Sequence, residues 1–236
     1  MKLRCMKLKL LLGLLAGALA FASVRAAEEA APRQAKPERY AKAIEAFAAQ
    51  APARHGIVFI GSSATTRWKS LADDFPDLPV VNRAFGGSRI NDLIFYFDTI
   101  ARRHEPKLLV IDIGGNDLNA GLSVDETFAE YLRLLEVVHT KLPQARVVIN
   151  SLGISLKRVA QIPQILEMNA RLARWVQQHD WARYVDRTPY QLRAKGQPVR
   201  EDYVDDLLHP SRAGYVDWMK VLGPVLREEW AKVRGV

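Results

Sequence analysis

Four short stretches of this 236-residue chain carry residue types that can do chemistry together. Gly61-Ser62-Ser63 puts two hydroxyls straight after the apolar run 57–60, and Gly86-Gly87-Ser88 closes the stretch 82–88. Gly114-Gly115-Asn116-Asp117 follows a longer apolar run, and Asp206 stands three positions before His209. A serine hydroxyl is a poor nucleophile until a base takes its proton. His209 is the candidate base. Asp206, one turn of helix or one tight loop away, is placed to hold the imidazole's tautomer and stabilise its cation. Negative charge developing on a carbonyl oxygen then needs donors. Gly87 offers a backbone N–H with no Cβ in the way, Asn116 a side-chain amide, and Ser63 its own backbone N–H. Losing one such donor costs about 3–4 kcal/mol of transition-state stabilisation.

Each stretch alone has an ordinary reading. Gly-Ser-Ser after a strand is a common helix N-cap, Gly86-Gly87 is tight backbone, Gly-Gly-Asn-Asp is turn chemistry, and Asp206 with His209 is a surface pair or a helix-start cap. The chemical reading rests on all four occurring in order, three of them after expected strands. His55, His104, His139 and His179 fall in loops or near helix ends and are not candidates.

The elements that must position these residues follow from hydrophobic periodicity. Residues 57–60, 80–82, 108–113, 146–152 and 184–186 read as strands, and 108–113, the most apolar, belongs in the middle of the sheet. Helical spacing appears over 40–50, over 90–100 (Ile90, Leu93, Ile94, Phe97, Ile100), after Ser123, over 166–178, and from about 211 to 233. Ser123 and Glu126 form a capping-box pattern for the third of these, whose apolar face is Phe128, Tyr131, Leu132, Leu135 and Val138. Gly223-Pro224 predicts a kink or a break in the last. Alternating strands and helices imply a parallel sheet covered on both faces. Right-handed crossovers then favour an α/β three-layer sandwich, flavodoxin-like, with a five-stranded parallel sheet. Strand ends on one side of such a sheet converge, so residues distant in sequence can meet there. Residues 186–204, rich in charge, read as a loop over one sheet end, with Arg187, Arg193, Lys195 and Arg200 as a mostly solvated face.

The first residues are of another kind. Lys2, Arg4, Lys7 and Lys9 precede an uncharged Leu/Ala run, and Val24-Arg25-Ala26 has cleavage-site spacing. Residues 1–26 are expected to be a signal peptide, 27–38 a linker, and 39–236 the catalytic domain, exported to the periplasm or secreted. The uncharged run, about 15 residues, is short of the roughly 20 a spanning helix needs, so no stable membrane insertion is expected after cleavage. Residues 1–26 hold five basic and no acidic residues, and their removal lowers the formal net charge from +8 to +3. That charge makes no case for nucleic-acid binding. The single cysteine, Cys5, leaves with the same segment, so neither disulfide nor thiolate chemistry is expected.

With these motifs in hand, the chain resembles the SGNH hydrolases, the GDSL-type esterase/lipase superfamily. The family's Gly-Asp-Ser, second-block glycine, Gly-x-Asn-Asp and Asp-x-x-His match Ser63, Gly87, Asn116, and Asp206 with His209. The stretches 67–68 and 82–88 resemble a branch whose first block reads Gly-Ser-Ser. The resemblance spans about residues 55–228. It implies a serine esterase without metal or other cofactor, with Ser63 rather than Ser62 as nucleophile, Asp206 and His209 completing a triad, and Ser63, Gly87 and Asn116 forming the oxyanion hole. Ser62 stands where relatives carry aspartate, and Ala84 where they often carry glycine, a change expected to reshape the pocket floor. No Gly-x-Ser-x-Gly elbow is present.

Export points to envelope or external esters, and no apolar segment suggests a lipase surface, so the expected substrate is a small-molecule or glycan ester with a short acyl or O-acetyl group. Two other classes compete for the same residues. A metal-dependent phosphoesterase would draw on Asp112, Asn116, Asp117, Asp205, Asp206 and His209, but no Asp-x-His or second clustered histidine supports a two-metal site. A non-catalytic glycan-binding module would not need a full catalytic set.

Overall fold

Strand β1 (Ile57–Gly61) is buried at every position, and its side chains alternate between two cores. Val58 and Ile60 enter one core; Ile57 and Phe59 enter the other. A strand apolar on both faces needs helices on both sides, and the computed structural model supplies them. It describes residue 35, residues 37–193 and residues 195–235. The expected signal peptide at 1–26 lies outside the described residues, as does most of the expected linker.

Helix α1 (Pro37–Ala48) begins inside that linker and precedes β1. There follow α2 (Ser63–Thr66), α3 (Leu71–Asp74), β2 (Val80–Asn82), α4 (Ile90–Phe95) and α5 (Phe97–Ile100). The expected single helix over 90–100 is thus two short ones, parted at Tyr96. Strand β3 (Leu108–Asp112), α6 (Gly115–Asn119) and α7 (Val124–Lys141) come next. Ser123 caps α7 reciprocally with Glu126, as the sequence pattern predicts. Its buried face, however, includes Thr127, Glu130 and Leu134, while Phe128 and Leu132 are only partly covered. The chain ends with β4 (Arg146–Asn150), α8 (Ile162–Val176), β5 (Ala182–Val185), α9 (Thr188–Gln191) and α10 (Arg212–Val233). Pro224 lies inside α10, which continues as one helix rather than two. Trp218, Leu222 and Leu226, all buried, hold both halves of it to the same core. Burial of each such side chain is worth about 1.5–3 kcal/mol, against about 3 kcal/mol for an interior proline.

All pairings in the five-stranded sheet are parallel, in the order β2-β1-β3-β4-β5, with β3 central. This is the flavodoxin-like three-layer α/β/α sandwich. One face packs α1, α4, α5, α7 and α8; the other packs α10 with Trp68, Leu71 and Phe75. The order reverses between β1 and β3, the switch point where open sheets of this kind bind ligands at their strand carboxyl ends. Gly61 and Asp112 lie opposite each other there, and a Cβ on Gly61 would press into the Asp112 carbonyl. Among the described residues, no helix is long and apolar enough to cross a membrane.

Candidate active site

Ser63 opens α2 immediately beyond β1. Ser62 takes the N-cap position, but its side chain does not cap the helix. Its Oγ instead accepts from Asn116 Nδ2 at 2.7 Å. Asn116 lies in α6 beyond β3, and its Nδ2 also donates to the Ser88 carbonyl at 3.0 Å. Three strand ends are thereby joined by side-chain and backbone polar contacts.

The residues 203–210 form a tight loop whose ends meet in an antiparallel bridge between Tyr203 and Pro210. Leu207 sits at φ +58°, a left-handed conformation that costs a leucine roughly 1–2 kcal/mol. That turn brings Asp206 and His209 together. His209 Nδ1 lies 2.7 Å from Asp206 Oδ2, and its Nε2 lies 2.7 Å from Ser63 Oγ. The second carboxylate oxygen, Asp206 Oδ1, accepts the His209 and Leu208 amides at 2.9 and 3.0 Å. Burial pushes the Asp206 carboxyl up, but those two amides and the His209 ring outweigh it and hold the group well below the usual carboxylate range. Arg67, one turn beyond Ser63, adds a contact to Asp206 Oδ2 at 3.1 Å. Such an array can accept a proton from Ser63 and keep the resulting imidazolium paired.

The open cleft beside Ser63 offers about 80 Å3. Ser62, Asn116, Ile154, Arg158, Arg187 and Tyr203 are among the residues that line it. Gly87 does not line the cleft. It adopts φ +80°, and its carbonyl accepts from Tyr40 Oη at 2.8 Å. It approaches the site through its neighbours: the Ser88 carbonyl on Asn116, and Gly86, whose added Cβ would lie 3.9 Å from Ser63 Cβ. Among the described residues, the Ser63 and Gly87 amides have no partner within the protein. Ala84 is buried, its amide bonded to Asn82 Oδ1, and it does not line the cleft.

Arg187 departs from the sequence expectation of a solvated charge. It is 3% exposed, donates to Asp112 Oδ1 at 2.8 Å and to the Ser151 carbonyl, and stacks over Trp218 at 3.9 Å. A guanidinium adjoining the carboxyl ends of β3 and β4 exchanges water for a carboxylate and an aromatic face, which its planar, weakly hydrated group favours. Arg193 and Arg200 remain partly exposed and pair with Asp202 and Asp205. The hard-ligand set that a phosphoesterase would need does not gather at one point. Asp112 is taken by Arg187 and Thr65, Asp117 Oδ1 accepts the Ile90 amide, and Asp205 faces outward to Arg200. Among the described residues, no group of three or more His, Cys, Asp or Glu side chains is placed to hold a metal.

Sequence reasoning missed Arg67, Arg158 and Arg187 as parts of this site, and named Asp112 only as a metal ligand rather than as the partner of Arg187. Arg67 carried a signal, its four-residue offset from Ser63. The others pair across 42 to 75 positions, with no local pattern.

The family profile of the GDSL-like lipase/acylhydrolase family matches residues 59–216. The chain belongs to that family and is a carboxylic ester hydrolase. No curated protein matches it by sequence. Among solved structures, it is similar to a GDSL-like lipase from Bacteroides thetaiotaomicron, with 20% identity, a TM-score of 0.66, and coverage of 82% of this chain and 98% of that one. A family 3 carbohydrate esterase from Talaromyces cellulolyticus is similar at 19% identity and TM-score 0.63, covering 77% of this chain and 99% of the other. A family 3 carbohydrate esterase from Clostridium thermocellum follows at 16% identity and TM-score 0.57, covering 73% and 96%.

Proposed function

We propose that the protein is an exported serine esterase that removes short acyl or O-acetyl groups, with Ser63 as nucleophile. The observation that carries this reading is the unbroken relay from Asp206 through His209 to Ser63, with both heavy-atom separations at 2.7 Å. Ser63 Oγ attacks the ester carbonyl carbon as its proton passes to His209 Nε2. The oxyanion is met by the Ser63 amide and by Asn116 Nδ2, one N–H of which leaves Ser62 Oγ to reach it; the Gly87 amide, unpartnered among the described residues but set back from the cleft, joins them when the 86–88 turn moves inward. Collapse of the tetrahedral intermediate expels the alkoxide, which takes the proton from Nε2 and leaves an acyl group on Ser63. Water then attacks that acyl-enzyme, again with His209 as base, and restores the hydroxyl.

The cleft of about 80 Å3 beside Ser63 fits a short acyl group. Carbohydrate esterases among the similar folds fit a glycan ester. The basic start and apolar run of residues 1–26 support export, with the catalytic domain beginning near residue 39.

The test is direct. A fluorophosphonate probe should label the wild type and not Ser63→Ala, and p-nitrophenyl esters should be turned over fastest at acetyl to butyryl length. Equal labelling of Ser63→Ala removes the nucleophile assignment. Turnover that is flat or rising beyond about eight carbons removes the short-acyl assignment. Amino-terminal sequencing of the protein from a periplasmic or culture fraction should show residues 1–26 gone; an intact terminus in the cytoplasm overturns export.

A further inference from the structure

Arg158 belongs to a short 3-10 segment, Leu156–Gln161, and lines the cleft half-buried. Its Nη1 donates to the Gly115 carbonyl at 3.0 Å and its Nη2 to Asn116 Oδ1 at 2.9 Å. The other two cleft-side arginines face carboxylates: Arg187 on Asp112, and Arg67 on Asp206. Arg158 forms no ion pair among the described residues, and its partners are two neutral carbonyl oxygens. Burying a charge is costly without compensation, so a guanidinium held on an amide in an active-site cleft points to a use for it there.

The chemistry of the three neighbours fixes which way the Asn116 amide faces. A guanidinium can only donate, and the Ser88 backbone carbonyl can only accept. Oδ1 therefore turns to Arg158, and Nδ2 turns to Ser88 and Ser62. A flipped amide would set its N–H groups against the guanidinium and its oxygen against the Ser88 carbonyl. The positive charge on Oδ1 also draws electron density from the amide nitrogen, which makes its N–H groups stronger donors. The backbone is clamped in the same grip, since Gly115 carries the second acceptor.

We propose that Arg158 is a positioning residue of the oxyanion hole, clamping Asn116 and polarising its amide as negative charge develops on the substrate carbonyl. The proposal rests on the esterase reading above and extends it to a residue that touches Asn116 rather than the reacting atoms.

A double-mutant cycle tests it, with p-nitrophenyl acetate as an uncharged substrate. Arg158→Met should lower kcat by at least tenfold and leave KM within about threefold. Its loss should not exceed the roughly 100- to 1,000-fold expected of Asn116→Ala. In the Asn116→Ala background, Arg158→Met should change kcat by less than twofold. Arg158→Lys, a single ammonium without the two-pronged fork, should recover only part of the rate. A full kcat in Arg158→Met overturns the proposal. So does an equal loss in both backgrounds, or a loss confined to KM on carboxylate-bearing esters, which would mark a direct substrate contact. A second readout is independent of turnover. The Asn116 side-chain NH2 resonances, assigned by their loss in Asn116→Ala, should shift in Arg158→Met, and unshifted resonances count against the clamp. A wild type without ester turnover defeats the esterase reading, while shifted resonances would still establish the clamp.

Discussion

Asp206→Asn changes one atom of the relay and preserves its shape. Asp206 Oδ1 accepts two backbone amides, at 2.9 and 3.0 Å, and only an oxygen can do so. In the variant the amide oxygen must stay there, and the new NH2 group takes the place of Oδ2, 2.7 Å from His209 Nδ1. That NH2 donates to Nδ1, which moves the ring proton to Nε2. Nε2 then faces Ser63 Oγ as a donor and cannot take its proton. The NH2 also confronts Arg67, which had donated to Oδ2 at 3.1 Å. In the serine-protease template the same substitution costs about 10,000-fold in kcat. Here the Asp206 side chain is 33% exposed, so water can reach the pair and soften the tautomer preference. We expect a fall of about 1,000-fold in kcat, or ~4 kcal/mol at 1.4 kcal/mol per factor of ten. The assay is steady-state hydrolysis of p-nitrophenyl acetate with Ser63→Ala as the floor, and thermal melting to establish folding. A folded variant within tenfold of wild type would show that Asp206 does not set the His209 tautomer. A loss confined to KM would refute that role equally.

Two further substitutions probe the surroundings of the site. Gly87→Ala should lower stability by roughly 1–2 kcal/mol, because φ +80° is unfavourable for alanine, and should reduce kcat as the peptide turns away and displaces Arg39, whose Nη2 would lie 2.8 Å from the new Cβ; an unchanged melting temperature and rate would contradict this. Burial pushes the Asp117 carboxyl up to about 7, from the 3.8 of an ordinary aspartate, so the folded protein binds more protons than the unfolded chain between those values and loses stability as pH rises through that window. Asp117→Asn should remove this loss, which is on the order of 4 kcal/mol by pH 8, so urea midpoints of variant and wild type should agree near pH 4 and diverge by pH 7.5; a gap independent of pH would refute it.

The parts of the fold set by local patterning were legible in the sequence. Apolar runs such as 108–113 gave the strands, and their alternation with helical periods gave a parallel sheet with β3 at its centre. The meeting of Ser63, Asp206 and His209 was legible because Asp206 and His209 lie within one tight loop and Ser63 stands two residues past a strand. What escaped was set by tertiary competition. The period over residues 90–100 continues unbroken, yet the chain parts at Tyr96. Gly223-Pro224 predicts a kink or a break, and packing of Trp218, Leu222 and Leu226 keeps α10 a single helix across it. Arg187 reads as one charge in a polar loop, and only the approach of Asp112, 75 positions earlier, makes it an interior residue. Arg158 and Ser62 join Asn116 through contacts between separate strand ends, a relation that no spacing along the chain records.

The relay between Ser63 and His209 spans 146 positions. Ser63 opens α2 just beyond the first strand, and His209 enters just before the last helix. A chain growing from its amino terminus completes β1 to β5 before Ser63 can meet His209. That meeting waits for residues 203–210 to turn at Leu207. The contact between Ser63 and His209 is therefore among the later ones the growing chain can make, and clipping it anywhere before residue 209 leaves Ser63 without that partner.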